Sequence, residues 1–229
     1  MRSAALIALA VVACTPRLPP LPMPVGLMVA PPESAVRWAD SSRPLENRDI
    51  RFRFLLRDEE GSYGGSGRAR LALPDSIRFD LRGSLGAARA SAFVLGDSAQ
   101  WTEPEERVRN LVPNYPLFWA MLGIARPPPR GSAVRGFADS VTVAWQFAAG
   151  GDTVEYVRER GANPRLIAEA RQNGKRIGRV ETKFGPDGFP VSSRLIVPKP
   201  ASRLDLTFHQ HTKAAPFAPD TWLRPAPQP

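Results

Sequence analysis

The sequence predicts a mainly β protein, a meander of roughly ten or eleven antiparallel strands with a small helical part. Three observations predict it. From residue 48 onward, apolar residues recur at every second position, the period of a half-buried strand. Turn signals separate these runs: Gly150-Gly151-Asp152, Asn173-Gly174, Pro186-Asp187-Gly188 and Pro198-Lys199-Pro200. The runs recur about every 8–12 residues, the spacing of an all-β sandwich or barrel. Long helices alternating with strands are missing from the pattern, so a doubly wound sheet is not expected.

Taken in order, residues 33–42 (ESAVRWADSS) predict a short helix, bounded by Pro32 and by Ser41-Ser42-Arg43-Pro44. Ile50, Phe52 and Phe54 then alternate with Arg51, Arg53 and Leu55. Gly65-Ser66-Gly67 reads as a hairpin. Ala69, Leu71 and Leu73 alternate with Arg68 and Arg70, and Ile77, Phe79 and Leu81 with Arg78, Asp80 and Arg82. Residues 90–95 are apolar on both faces. In the second half Val141, Val143, Trp145 and Phe147 share a face. Runs at 154–158, 165–172, 176–184, 191–197 and 203–211 follow. Asn-Gly and Asp-Gly supply the positive φ that tight hairpins need.

One segment interrupts the strands. Residues 113–124, PNYPLFWAMLGI, carry almost no charge. Asn114 is placed to cap a helix, with Pro116 in its first turn. A helix apolar nearly all round must be covered on most sides. Together with Pro127-Pro128-Pro129 and the stretch to Phe137, it predicts a helical insert over 113–137. A plug or lid in a curved sheet and an ordinary core helix fit these residues equally.

Composition narrows the class. The chain has 229 residues and 25.0 kDa, the size of one ordinary domain. Its 43% hydrophobic and 23% charged residues exclude global disorder. One Cys and two His leave no disulfide framework and little for a metal site. No cofactor is expected. Net charge is +9, which suits anionic partners. The cations are 27 Arg and 4 Lys, spread without a basic run, so nucleic acid is not expected. Lipid headgroups held through Arg would bind less well in salt. Seven of the 25 Pro fall in 16–32 and five in 216–229, marking the ends as tails.

The N-terminus reads as an export signal. Arg2 is the positive n-region and Ala4 to Val12 the apolar h-region, too short to span a bilayer. Val11-Val12-Ala13-Cys14 resembles a bacterial lipobox, in which cleavage leaves an acylated Cys at the new N-terminus. Residues 1–13 are then the signal peptide, and Cys14 is the lipid anchor, carrying diacylglycerol and an acyl chain of the palmitate kind. Two or more chains hold a membrane firmly, where one binds only marginally. Thr15, rather than Asp, fits delivery to the outer membrane, with the protein facing the periplasm. Residues 14–32 read as a semi-rigid Pro-rich tether, and 214–229 as a Pro-rich tail.

Three stretches then resemble the LolB and, more distantly, LolA lipoprotein carriers and receptors. The first is Leu73-Pro74-Asp75-Ser76-Ile77-Arg78-Phe79 leading to Gly83-Ser84-Leu85-Gly86. It is similar to the strand that ends in an Asn-Pro-Leu-Gly loop in LolB, with Ser84 in place of the Pro. The second is Met121-Leu122-Gly123-Ile124-Ala125-Arg126-Pro127, followed by Val134-Arg135-Gly136. The third runs from Arg165-Leu166-Ile167 through Gln172-Asn173-Gly174-Lys175. The resemblance spans most of residues 48–211. It implies a single unclosed antiparallel half-barrel over 33–213, with the insert as its lid.

It also implies a function: binding acyl chains of lipoproteins or lipids in an apolar cavity and delivering them to the membrane. The inward face would offer Phe52, Phe54, Phe79, Trp145 and Phe147, with Trp119 and Met121 from the lid. Leu85 matches the Leu that touches the membrane in LolB. A periplasmic carrier protein is an implied partner. Each buried methylene contributes about 0.8 kcal/mol, so such a cavity needs no catalytic group. The same residues filling a dry core would instead make a non-catalytic envelope scaffold. No G-x-S-x-G, P-loop or H-E-x-x-H occurs, so an enzyme is not expected. His209 and His211 stand two apart on a strand without a third ligand nearby.

Overall fold

The alternation that begins at residue 48 becomes one antiparallel sheet in a computed structural model of the chain. The structure describes residues 18–83, 89–96, 98–101 and 114–223. Cys14 and Leu85 lie outside the described residues.

The strands are β1 (Met28–Val29), β2 (Arg48–Asp58), β3 (Gly61–Ala72), β4 (Ser76–Gly83), β5 (Arg89–Leu95) and β6 (Ser98–Trp101). They continue with β7 (Ala133–Ala138), β8 (Thr142–Ala149), β9 (Asp152–Glu159) and β10 (Arg165–Gln172). The last are β11 (Lys175–Phe184), β12 (Pro190–Pro198) and β13 (Ala201–Lys213). Among the described residues two α-helices accompany them, α1 (Pro32–Ser41) and α2 (Tyr115–Ala120), with a 3-10 turn at Pro219–Trp222. The sheet order is β1-β7-β8-β9-β10-β11-β12-β13-β2-β3-β4-β5-β6. Two meanders are thus joined where the last long strand, β13, pairs with β2. Strands β1 and β6 are the two edges and do not pair with each other, so the barrel is not closed.

The thirteen strands among the described residues exceed the ten or eleven expected. The two-residue β1 lies within the Pro-rich segment, too short to leave a periodic signal. Strand β7 lies partly within the segment expected as a helical insert. Helix in that segment is confined to Tyr115–Ala120. Pro127-Pro128-Pro129 cannot continue it, because proline lacks the N–H and clashes with the preceding turn. Asn114 occupies the cap position, yet its side-chain oxygen is buried and makes no hydrogen bond among the described residues.

Gly65-Ser66-Gly67 is not a hairpin but the middle of β3; the turn comes earlier, between Asp58 and Gly61. A Cβ at Gly67 would collide with the ring of Phe52 directly across the ladder. The glycine is there to let the Phe52 ring lie over its backbone, a close approach that reads as a turn when only composition is seen. Leu73, expected on the β3 face, follows the strand and is exposed. The Asn173-Gly174 turn is as expected, with φ of 49° and 74° between β10 and β11.

Both Pro-rich ends return to the outer face of the sheet. Leu21 is buried there against Ala144, Val157 and Ile167, with Met23 beside them. The Arg179 guanidinium donates to the Pro19 carbonyl at 2.8 Å. At the other end Arg78 donates to the carbonyls of Thr221 and Leu223, at 2.7 and 3.1 Å. These stretches of the expected tether and tail are straps laid against the domain.

Candidate functional site: the interior of the half-barrel

Alternate residues of every long strand point into the concave face. Paired across the sheet, Gly136, Trp145, Tyr156, Ala168, Val180, Leu195 and Leu204 form one inward row. All but the glycine are buried. Phe52, Phe79 and Phe208 meet near the junction of the two meanders. Phe52 lies 5.9 Å from Phe79 and 5.8 Å from Phe208, ring centre to ring centre, both edge-on. A second aromatic group joins Trp145, Phe147, Tyr156 and Trp38 of α1, at 5.7–6.5 Å.

The segment from α2 to Ala125 fills the space between them. Leu117, Trp119, Ala120 and Ala125 are at most 1% exposed. Phe118 reaches Phe79 at 5.5 Å. Helix α2 crosses the sheet closely at Gly178, where a Cβ would stand 2.6 Å from Leu117 Cδ1. Gly123 turns the chain out of the helix with φ of 75°, a conformation other residues rarely adopt. This segment is a plug, apolar on every side.

Four polar contacts latch the plug. Thr182 Oγ1 donates to the Ala120 carbonyl at 2.6 Å. The Ala125 N–H donates to Ser42 Oγ at 2.9 Å, and the Arg126 N–H to Tyr156 Oη at 3.2 Å. The Arg126 guanidinium pairs with Asp75 at 2.6 Å and lies 4.9 Å above the Trp119 ring. Burial pushes the Tyr156 phenol well above its ordinary range, so it stays neutral. The indole N–H groups of Trp119 and Trp145 are buried and, among the described residues, have no acceptor. Each such group costs about 1–3 kcal/mol.

Of the residues expected to line a cavity, Phe52, Phe79, Trp119, Met121, Trp145 and Phe147 are buried in one continuous cluster. Phe54 packs against it, half-buried. Sequence reasoning passed over Trp38, Phe118, Tyr156 and Phe208, which belong to the same cluster. Tyr156 and Phe208 stood on the correct strand face and were recoverable from the period. Trp38 was not, since its helix docks from outside the repeat.

Among the described residues no three His, Cys, Asp or Glu are grouped to hold a metal. A bulge between Phe208 and Gln210 leaves His209 without a cross-strand partner. His211 instead stacks on Phe189 at 5.3 Å and bonds the Pro190 carbonyl at 2.8 Å. What this interior can do is hold apolar matter.

An unclosed antiparallel sheet curved around an internal helix is the LolA/LolB-like fold, and the chain has it. A LolA superfamily protein from Nitrosomonas europaea superposes with a TM-score of 0.55 at 12% identity, covering 84% of this chain and 97% of that one. A DUF1329 family protein from Desulfovibrio piger gives 0.50 at 6%, covering 84% and 95%. An outer membrane lipoprotein-sorting protein domain from Vibrio parahaemolyticus gives 0.48 at 7%, covering 82% and 94%. No family model and no curated protein sequence matches the chain.

Proposed function

We propose that this protein is an envelope lipoprotein that takes acyl chains of a lipoprotein or lipid into the half-barrel and helps deliver them to the membrane. The observation that carries the reading is the interior itself. Its walls are apolar, its plug is held to them by four polar latches, and among the described residues two indole N–H groups there have no acceptor. An ester or amide carbonyl on an acyl chain supplies such an acceptor. Release of the latches at Thr182, Ser42, Tyr156 and Asp75 frees the plug. Acyl chains then enter between Trp119 and Met121 of the plug and Phe52, Phe54, Phe79, Trp145 and Phe147 of the sheet. Cys14 anchors the protein to the outer membrane, Leu85 touches the bilayer, and a periplasmic carrier supplies the cargo. Transfer is non-covalent.

A second reading rests on the burial of the plug: a scaffold lipoprotein whose filled interior never opens. Lipid content separates the two. Residues 15–229 are expressed in the envelope of a bacterial host and purified without detergent, and native and denaturing masses are compared. Extra mass that disappears on denaturation and resolves into acyl lipid is expected. A clean apo mass, with no uptake of acylated peptide, would leave the scaffold.

A further inference from the structure

The outer face of the sheet carries a groove with a volume of about 430 Å³, across the sheet from the plug. It runs over β11, β12, β13 and β2. Cross-strand register places its side chains in rows. One row is Lys183, Ser192, Thr207 and Arg53, continued on β3 and β4 by Ser66 and Arg82. The next is Glu181, Arg194, Asp205 and Leu55, and below it stand Arg203 and Arg57. The groove is therefore lined by five cations and two carboxylates.

The pairing is uneven. Asp205 alone serves three guanidinium groups, Arg57, Arg194 and Arg203, at 3.3, 2.7 and 2.7 Å. Glu181 is taken by Arg165 from the neighbouring strand, at 3.3 Å. Among the described residues Arg53 and Lys183 have no carboxylate partner, and the hydroxyls of Ser192 and Thr207 lie between them. Burial alone would raise the Asp205 carboxyl, but the Arg203 and Arg194 bonds outweigh it and hold it lowered, so it stays ionised. A concave row of two cations, unpaired among the described residues, and two hydroxyls is built for a phosphate: point charge at both ends, neutral donors in the middle.

The N-terminal strap says where that phosphate comes from. Pro19 is tied to Arg179 on β11, which neighbours Ile196 and then Arg203 across the same outer face. Strands lie about 4.8 Å apart, so the groove begins about 10 Å from the strap. Pro19 stands five positions after Cys14, a reach of at most ~18 Å. An acyl chain on Cys14 would therefore hold the strapped outer face, this groove included, within reach of the headgroups.

We propose that the outer groove binds the phosphate of an anionic lipid headgroup, with Arg53 and Lys183 as its cations and Ser192 and Thr207 as its hydroxyl donors. The lipid source rests on acylation of Cys14. The groove's chemistry does not.

The test uses the full chain with Cys14→Ser, so that no anchor contributes, and flotation with phosphatidylcholine vesicles with or without phosphatidylglycerol. The neutral vesicles set the baseline, including any contribution of the apolar Ala4 to Val12 stretch. Anionic lipid is expected to raise binding, and Arg53→Ala with Lys183→Ala to cut that gain about tenfold or more. Arg130→Ala with Lys175→Ala removes the same charge from exposed sites outside the groove and is expected to cut it no more than about threefold. Equal losses in the two double variants would mean net charge alone and overturn the site. Inorganic pyrophosphate should release the protein from anionic vesicles better than sulfate at equal ionic strength; equal release would overturn phosphate recognition. Pyrophosphate binding in solution without any gain on anionic vesicles would overturn the lipid source. The mass of the N-terminal peptide from the wild-type protein reports acylation separately, so failure of the anchor and failure of the groove are told apart.

Discussion

The two faces of the sheet are made by the same strands and stabilised by different means. On β10, Leu166, Ala168 and Ala170 look inward and are covered by other apolar groups. Between them Arg165, Glu169 and Arg171 look outward into a web of ion pairs. The inner face is filled by a plug that follows the first meander. The outer face is covered in part by straps from the two chain ends. A period of two sorts side chains cleanly between faces, but it says nothing about what will cover either one.

The inner face should give the largest effect when broken. Phe52 is fully buried and touches rings from β4 and β13. Phe52→Ala is expected to cost about 3–5 kcal/mol, read from the urea midpoint. A loss below about 1 kcal/mol would mean the two meanders are not packed on this ring.

The outer face gives the next effect. Glu169 is fully buried, yet it meets Arg171, Arg176 and Arg179, at 2.6, 2.8 and 2.6 Å. Two of the three arginines reach water. Glu169→Gln leaves them without their shared counter-charge and should cost about 3 kcal/mol. Because Arg179 also holds Pro19, the variant should be cut faster by protease within residues 18–27. Unchanged cleavage would separate the strap from the charge cluster.

Much of this architecture was legible in the sequence, and the exceptions have physical causes. Phe52, Phe79, Trp145 and Phe147 followed from alternation because burial acts residue by residue along a strand. Gly67 misled, because a glycine that makes room for a ring leaves the same mark as one that makes a turn. Pro19 to Leu21 misled as well: proline favours extended chain, and an extended chain serves equally as a tether or as a strap. Only the partner, a small apolar patch made by Ala144, Val157 and Ile167, decides between them. That patch is assembled from three strands and has no signature in any one of them. The groove was hidden for the same reason. Arg53, Lys183, Ser192 and Thr207 come from four strands and meet only through register.

The smallest effect sharpens the comparison at the rim, where one side chain belongs to both kinds of surface. His211 is half-buried beside Phe208 and Phe189 and bonds the Pro190 carbonyl. Burial lowers its pKa below the ordinary 6.5; the Pro190 bond and Asp187 oppose the shift, while Arg48 and His209 add to it. A lowered histidine takes up its proton less readily folded than unfolded. Its contribution is therefore complete above the unfolded value of 6.5 and is lost as pH falls through the lower folded value. The wild type should lose more Tm than His211→Gln between pH 7.5 and pH 5, by about 2 °C in a domain of this size. The carboxylates titrate alike in both proteins, so the difference isolates the imidazole. Equal losses would place His211 in water at the rim rather than against the core.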